Sequence, residues 1–528
     1  MDRATVSRAG DAAILVDLPE ASFDELYAAA AAARQHLAPA ACIVGHSSLY
    51  LLFDTSPPPE QTVLVAIRSL TNPGTQTGVR TVHRIRVSVT PESAPDLPRL
   101  LQQASLSPEA FLRQLAALSL RARHLGFRAG FAYLDGIPPS WKLPRLATPR
   151  LRVPAGSFAI AGPMAAFYPI ESPGGWNLLG RTDAILWDPQ RDPPNLIQPG
   201  DEISIEPHAD PISFASGSIR ERDEPDGEPL AEVISAGQGT IIVGQPDHGR
   251  LHYGLAPAGA FDANAARAAN SAVGNDATAP LLECVLVGPE LRFRRNTIVA
   301  WRGATIEPLV DGRLVPDSSR FELPAGARLR IGRIRNGMRG WLAIDGGIAD
   351  PAVRFASTPA LLAGSLHMPD SRSLGAVRAR TIATESSPSL AGLVRSADPA
   401  CGNEDAATMS DEGDAMIITA MAGPHTIDGE LLRLLQSATW QVTPELNRVA
   451  IRLRSPEKVP SLPAMLPSCG MQFGTVQWHP GGELVVMGPD HPVTGGYLQA
   501  MTVIRSERWK LAQLAPGDRV RWRIVPVE

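Results

Sequence analysis

Three short stretches hold the residue types that could do chemistry. The first is the loop Tyr168 to Thr182, where Ser172, Gly174, Gly175, Trp176 and Arg181 stand close together. A hydroxyl, an indole and a fixed guanidinium beside two permissive glycines could hold a small amide or carboxylate by hydroxyl, stacking and fork contacts. A barrel corner whose glycines merely permit φ > 0 is the other reading. The second is a looser copy, Thr494, Gly495, Gly496 and Tyr497, flanked by His479 and His491, either of which could serve as acid or base or be simply solvated. The third is the turn holding Asp247 and Arg250, a carboxylate and a guanidinium that could position a polar substrate and tune its charge, or close the turn on themselves. His248 and His252 are four apart, but the intervening Gly249-Arg250 argues against a helical metal-binding face, and no metal is expected.

What is missing narrows the chemistry. Only Lys142, Lys458 and Lys510 are lysines, and none lies in a Gly-x4-Gly-Lys loop or a Met-Lys-Met biotin site. The chain is therefore expected to carry neither a Walker ATP site nor biotin of its own, and lysine-base or Schiff-base chemistry is disfavoured. The arginine excess suits fixed carboxylate or phosphate binding, or reflects a GC-rich genome. A net charge of -5 with no basic patch argues against nucleic acid. Cys42, Cys284, Cys401 and Cys469 are too scattered for a disulfide framework or zinc knuckle, and no apolar run reaches the roughly 18 residues of a membrane span. A cytoplasmic protein is the expectation, without a membrane or nucleic-acid partner.

The elements that must position these loops read as mostly β with α+β. At 528 residues several domains are expected. Residues 11 to 17 read as a strand, and Ser22-x-x-Glu25 is a capping box opening an alanine-rich helix to about Leu37. With the strands at Cys42 to Val44 and Ser48 to Phe53 and a helix at Thr62 to Ser69, these form a small α+β domain over 1–80. Ser107-Pro108 starts a longer helix expected to run to Gly126. Short β runs divided by Gly and Pro then suggest a barrel or sandwich over 81–207. The charged stretch 208–230 reads as a linker, 231–387 as a second β domain, 388–414 as another linker and 415–528 as a final β domain.

A repeat links the second and last of these domains. Gly156-Ser157 precedes Gly174 by 18 residues, Gly474-Thr475 precedes Gly495 by 21, and each loop is followed by Pro-Gly-Asp, at 199–201 and 516–518. Duplication of one β module is the economical explanation.

The segments Gly126 to Leu134, Pro149 to Ser157, Tyr168 to Thr182 and Pro199-Gly200-Asp201 resemble the allophanate hydrolase subunit 1 family. Asp247-x-Gly249-Arg250, Pro257 to Asp262, Leu282-Glu283, Trp341 to Gly347, Asn447-Arg448, Gly474 to Gln477 and the Thr494 loop resemble its partner, subunit 2. The chain looks like the two fused. The resemblance implies a ferredoxin-like α+β domain followed by repeated cyclophilin-like β-barrels. It also implies a role in a 5-oxoprolinase or urea amidolyase type of ATP-dependent amidohydrolase. ATP would act through a separate third subunit of the LamB/YcsF type. A carboxyltransferase served by a biotinylated partner, or a regulatory binding protein of the kinase-inhibitor type, are the alternatives. Carried over, Asp247 and Arg250 become catalytic candidates, and Ser172, Gly174, Gly175, Trp176, Arg181, Gln477, Thr494, Gly495, Gly496 and Tyr497 the small-amide binding set.

The chain departs from the family pattern at several points. Leu115 stands where a histidine is usual, Ala129 where Gly-Phe-x-Pro-Gly-Phe has proline, and Arg86 to Val89 where a tyrosine-bearing strand is usual. The Gly-Ser-Arg-Ser-Thr expected around Arg354 to Thr358 is also eroded. A lost acid or base at Leu115 would cost on the order of 10² to 10⁴ in rate.

Overall fold

The computed structural model describes residues 3–69, 81–211 (147 and 190 apart), 229–349 (316–318 apart), 364–367 and 415–526 (456, 458 and 460–465 apart). The expected linker 388–414 and the eroded motif at 354–358 lie outside the described residues, as does 212–228 of the other linker. The strand Glu202–His208 runs into the start of that linker and the strand Pro229–Ser235 begins before its expected end.

The N-terminal unit is a four-stranded antiparallel sheet in the order Thr5–Arg8, Ala13–Asp17, Ser48–Leu52, Ala41–Val44, with the helices Phe23–Leu37 and Glu60–Arg68. The capping box forms in full, Ser22 accepting from Glu25 N while the Glu25 carboxylate accepts from Ser22 N. A ferredoxin-like order would take its edge strand from after the second helix. Here that edge belongs to Thr5–Arg8, at the start of the unit. One sheet face, with Ile14, Val16, Leu49 and Leu51, packs on Leu26, Ala29 and Ala33 of the first helix. The other, with Leu15, Ile43 and Tyr50, is covered by Leu251, Cys469 and Val493 from far along the chain. Burial on both faces explains why Ser48–Leu52 shows no polar alternation.

Two closed seven-stranded barrels follow. Around the first ring come Val82–Ser88, Asn177–Arg181, Ser157–Ala161, Met164–Phe167, Ala132–Asp135, Ser119–Leu125 and Glu202–His208. Around the second come Ala415–Ala422, Leu498–Val503, Thr475–Trp478, Leu484–Met487, Ala450–Arg454, Trp440–Leu446 and Arg519–Val525, in the same sequence of positions. Each ring closes through one parallel pair, its first strand against its last. The repeated turns match as well. Gly156 and Gly474 have φ of 80° and 87°, and each is followed by the same turn hydrogen bond, Ser157 N to Pro154 O and Thr475 N to Gln472 O. In each Pro-Gly-Asp turn the aspartate carboxylate accepts a backbone N–H three residues back, Gln198 N at 2.8 Å for Asp201 and Ala515 N at 2.8 Å for Asp518.

One expectation fails within the first barrel. The helix that begins at Pro108 ends at Ala116, and Ser119–Leu125 is a barrel strand with alternating burial. The segment Leu120, Ala122, His124 has the period of a strand, and pairing with Ile203 and Leu134 outweighs its helix-forming residues.

Between the barrels, residues 229–349 and 364–367 form an open ten-stranded sheet. Its longest strand, Arg328–Ile344, pairs with four others. The helix Ala263–Ala272 packs on it, its start capped by Asp262 accepting from Asn264 N and Ala265 N. Trp341 and Phe261 join the core of the second barrel, so that sheet and barrel share one apolar interior.

Candidate functional site

A two-stranded flap lies over the outer face of each barrel. In the first it is Arg150–Val153 with Ser172–Gly174; in the second it is Cys469–Gly470 with Thr494–Gly495. The two glycine-aromatic loops of the sequence are thus equivalent flaps of equivalent barrels.

Beneath the first flap the space is filled with rings. Trp176 is 5% exposed and sits 5.8 Å from both Phe131 and Tyr133, while Phe131 stands 5.4 Å edge-on to Tyr168. Gly174 is required by close approach, since a Cβ there would lie 2.3 Å from the Tyr168 hydroxyl. Arg181 Nε donates to Ala155 O at 2.7 Å, fastening the strand to the preceding turn. Ser172 Oγ is buried without a hydrogen-bond partner, and Gly175 has ordinary contacts.

Beneath the second flap the corresponding positions are polar. The strand registers place Gln477 where the first barrel has Ala159, and Gln499 where it has Leu178, with the same β-bulge one residue further on. Gln499 Nε2 donates to Gly470 O at 2.8 Å and contacts Cys469 Sγ at 3.2 Å, leaving Oε1 buried and unpartnered. Gln477 Nε2 is likewise buried and unpartnered, facing Gly495. At the flap's edge His479 stacks on Tyr497 at 3.9 Å, and burial pushes its pKa down to about 4. His491 Nδ1 donates to Pro492 O at 2.8 Å; burial lowers its pKa also to about 4. Both rings are neutral at pH 7. Gly496 O accepts from Leu466 N at 2.9 Å.

The second flap docks into the first barrel. Phe127 N donates to Thr494 Oγ1 at 3.0 Å, and a Cβ on Gly126 would lie 2.1 Å from that same oxygen. The Tyr133 hydroxyl engages the side chains of Thr494 and Ser468, so one ring touches the Trp176 cluster on one side and the second flap on the other. His124 stacks on Tyr133 at 4.3 Å, fully buried with neither ring nitrogen partnered, and burial holds its pKa well below the usual histidine value. The turn closes without the family's proline: Phe131 N reaches Arg128 O at 3.0 Å across Ala129. Leu115 is fully buried in the first barrel's core and faces none of this.

The Asp247 turn lies at the rim. Arg250 Nε and Asp247 Oδ2 are 3.3 Å apart with side chains about two-fifths exposed, and Asp247 Oδ1 accepts from Gly249 N. The turn leads into the 3-10 helix His248–Tyr253, whose Leu251 packs against Cys469 and Val493. Among the described residues no group of three His, Cys, Asp or Glu side chains could hold a metal, and no helix is long and apolar enough to cross a membrane. The described cysteines, Cys42, Cys284 and Cys469, are free and buried.

Several motif residues of the second half prove to be a weld. Glu283, fully buried, accepts from Arg448 Nη1 at 2.7 Å, Trp341 Nε1 at 3.1 Å and Phe261 N at 2.8 Å. Arg448 also binds Asp490 through two nitrogens and Gly259 O through a third contact. Desolvation opposes its charge, yet the Glu283 and Asp490 carboxylates outweigh that and raise its pKa. The weld joins the open sheet to the Pro489–His491 segment that enters the second flap. Gln499, His124, Tyr133 and the Glu283 weld were missed as site-forming residues. Gln499 could have been found from the repeat, since register pairs it with Gln477.

Duplicated barrels meeting through a flap, with an α+β unit and an open sheet packed about them, make a two-half architecture. The chain belongs to the carboxyltransferase domain family: the model for subdomains C and D matches residues 4–197, and that for subdomains A and B matches 253–524. Over 118 residues it is 40% identical to the B component of 5-oxoprolinase from Escherichia coli, covering 22% of this chain and 54% of that protein. Over 301 residues it is 29% identical to the C component of the Escherichia coli 5-oxoprolinase, covering 56% of this chain and 90% of that one. Urea amidolyase of Saccharomyces cerevisiae is 29% identical over 321 residues, which are 17% of its length. The chain thus matches about half of the B component and a small part of the amidolyase. The crystal structure of TTHA0988 superposes with a TM-score of 0.75 at 30% identity, over 97% of this chain and 99% of that one.

Proposed function

We propose that the chain is the fused substrate-handling component of an ATP-dependent amidohydrolase of the 5-oxoprolinase type. In this reading it binds a small amide at the junction of its halves and presents it to a separate, ATP-using subunit. One observation carries this: Thr494, in the half similar to the 5-oxoprolinase C component, takes its hydrogen bond from Phe127, in the half that matches subdomains C and D. Two chains that are separate subunits in the relatives are here one chain with a shared surface.

Small-amide recognition needs a donor for the carbonyl and an acceptor for the N–H in a place that excludes water. The second flap supplies both in Gln477 Nε2 and Gln499 Oε1. Thr494, Gly495 and Gly496 set the flap that covers them, and Tyr497 holds His479 against its edge. The Trp176 cluster and Arg181 support the opposite wall, and Asp247 with Arg250 forms its rim. ATP is assigned to the partner, because no phosphate-cradling Gly-Lys loop occurs in this sequence. Leu115 has no proton to transfer and is sealed in the core, so in this reading acid–base work falls to the partner, to the Asp247 turn or to the histidines about the second flap.

The test is reconstitution. The purified chain with its cognate LamB/YcsF-type subunit, ATP and 5-oxoproline should release glutamate and ADP. No glutamate, where an unfused pair under the same conditions produces it, would sink the reading. The urea amidolyase relative supports a second reading, carboxyl transfer from a biotinylated partner, which would appear as carboxylation of urea only when that partner is added.

A further inference from the structure

We propose that the cavity between the N-terminal hairpin and the second barrel binds a small carboxylate bearing an N–H group on the adjacent carbon. The cavity has a volume of about 480 Å³, within the roughly 300–1,000 Å³ of small-molecule sites, and Ser7, Arg8, Glu60, His425, Thr426 and Ala500 are among its lining residues. Arg8 and Glu60 are opposite charges lining one cavity, and neither has an ion-pair partner among the described residues. The backbone N–H of Gln499 donates to His425 Nδ1 at 2.9 Å, so the neutral ring carries its proton on Nε2 and has a donor to spare.

The duplication shows what is absent. In the first barrel the residue equivalent to Gln499 is Leu178, and its N–H donates to Asp96 Oδ2 at 2.7 Å. The other Asp96 oxygen accepts from Arg150 at 2.8 Å, so the first barrel carries both the carboxylate and its arginine. In the second barrel a neutral histidine accepts that N–H in place of the carboxylate, and the arginine, Arg8, comes from another unit with no carboxylate paired to it among the described residues. A ligand carboxylate on Arg8 and His425 restores the missing charge; Glu60 accepts from an adjacent N–H, and Ala500 with its apolar neighbours contacts the carbon body. A cyclic amide acid such as 5-oxoproline and an α-amino acid such as glutamate both have this pattern, whereas urea has no carboxylate. The inference rests on the reading above only for its choice of probes.

The full chain is titrated calorimetrically with L-5-oxoproline, L-glutamate and urea. At least one of the two acids should bind, with Arg8→Gln and His425→Leu each weakening it tenfold or more, and urea should give no Arg8-dependent heat. Glu60→Gln should weaken glutamate, whose ammonium needs the charge, more than 5-oxoproline. Binding of the acids undiminished in Arg8→Gln would overturn the proposal, as would no binding of either at millimolar concentration. Arg8-dependent binding without ATP-dependent hydrolysis in the reconstituted system would leave this site standing and remove the proposed function. Hydrolysis with Arg8-independent binding would do the reverse.

Discussion

The two barrels share a strand ring, a flap, a bulge and a Pro-Gly-Asp turn, yet bury different chemistry under the flap. The first fills it with Phe131, Tyr133, Tyr168 and Trp176 over Ala159 and Leu178. The second places Gln477 and Gln499 at those two positions and leaves a donor and an acceptor unpaired. A buried unsatisfied amide costs about 1–3 kcal/mol, so the first barrel shows the more stable solution for this backbone and the second departs from it. The difference separates a wall filled by rings from one that buries two amide atoms without hydrogen-bond partners.

The largest effect should come from what holds the second flap in place. Glu283→Ala leaves Arg448 and Arg339 buried around a lost carboxylate, and removal of one partner from such a network costs about 3–5 kcal/mol. Urea denaturation should show the loss; a change below about 1 kcal/mol would mean that the weld does not hold the flap. Next is Gly126→Ala, whose Cβ cannot coexist with Thr494 as placed; overpacking of about 1–3 kcal/mol is expected, with separation of the halves visible as faster proteolysis.

The comparison itself is tested by exchanging its residues. Ala159→Gln should destabilise by about 1–3 kcal/mol, while Gln477→Ala should be near neutral in stability and weaken amide binding. Equal destabilisation by both would erase the distinction between the barrels.

Acid should weigh more heavily on the second barrel, which holds three histidines of depressed pKa where the first holds His124. His425, His479 and His491, all in the second barrel, have folded pKa values near 4, below the ordinary histidine value. The unfolded chain then binds more protons between about 6.5 and 4, so their contribution to stability is complete above that window and falls as pH falls through it. Denaturation midpoints should decline from pH 7 to 5, and His491→Gln should flatten the decline; an unchanged slope would count against it. The smallest effect is expected at the rim: Asp247→Asn removes an exposed pair worth about 0–1 kcal/mol and should scarcely move the melting temperature.

Much of this fold was legible because its signals are local. The Ser22–Glu25 capping box, the alternating and continuous apolar runs and the twofold Gly-turn, flap and Pro-Gly-Asp pattern each depend on residues close in sequence. Their spacing alone indicates the duplication. The helix after Pro108 was overextended because a seven-residue strand of mixed propensity is decided by its partners. For the site, Thr494, Gln477 and Trp176 were legible as loop or motif residues, but their surroundings were not. Trp176 reads the same in sequence whether it stacks on a substrate or closes a cluster.

By itself the sequence determined the class of elements, the repeated barrel and the absence of a phosphate-cradling lysine loop, since turn chemistry and hydrophobic period act over a few residues. Tertiary structure decided that Leu251, Cys469 and Val493 close the N-terminal sheet, that Glu283 and Arg448 join across 165 residues, and that Thr494 meets Phe127 across 367. It also decided that the two similar flaps differ, one sealed by rings and the other lying over unpaired amides. The physical reason is that desolvation, charge pairing and close approach depend on what the rest of the chain brings into contact, and local spacing contains no record of that.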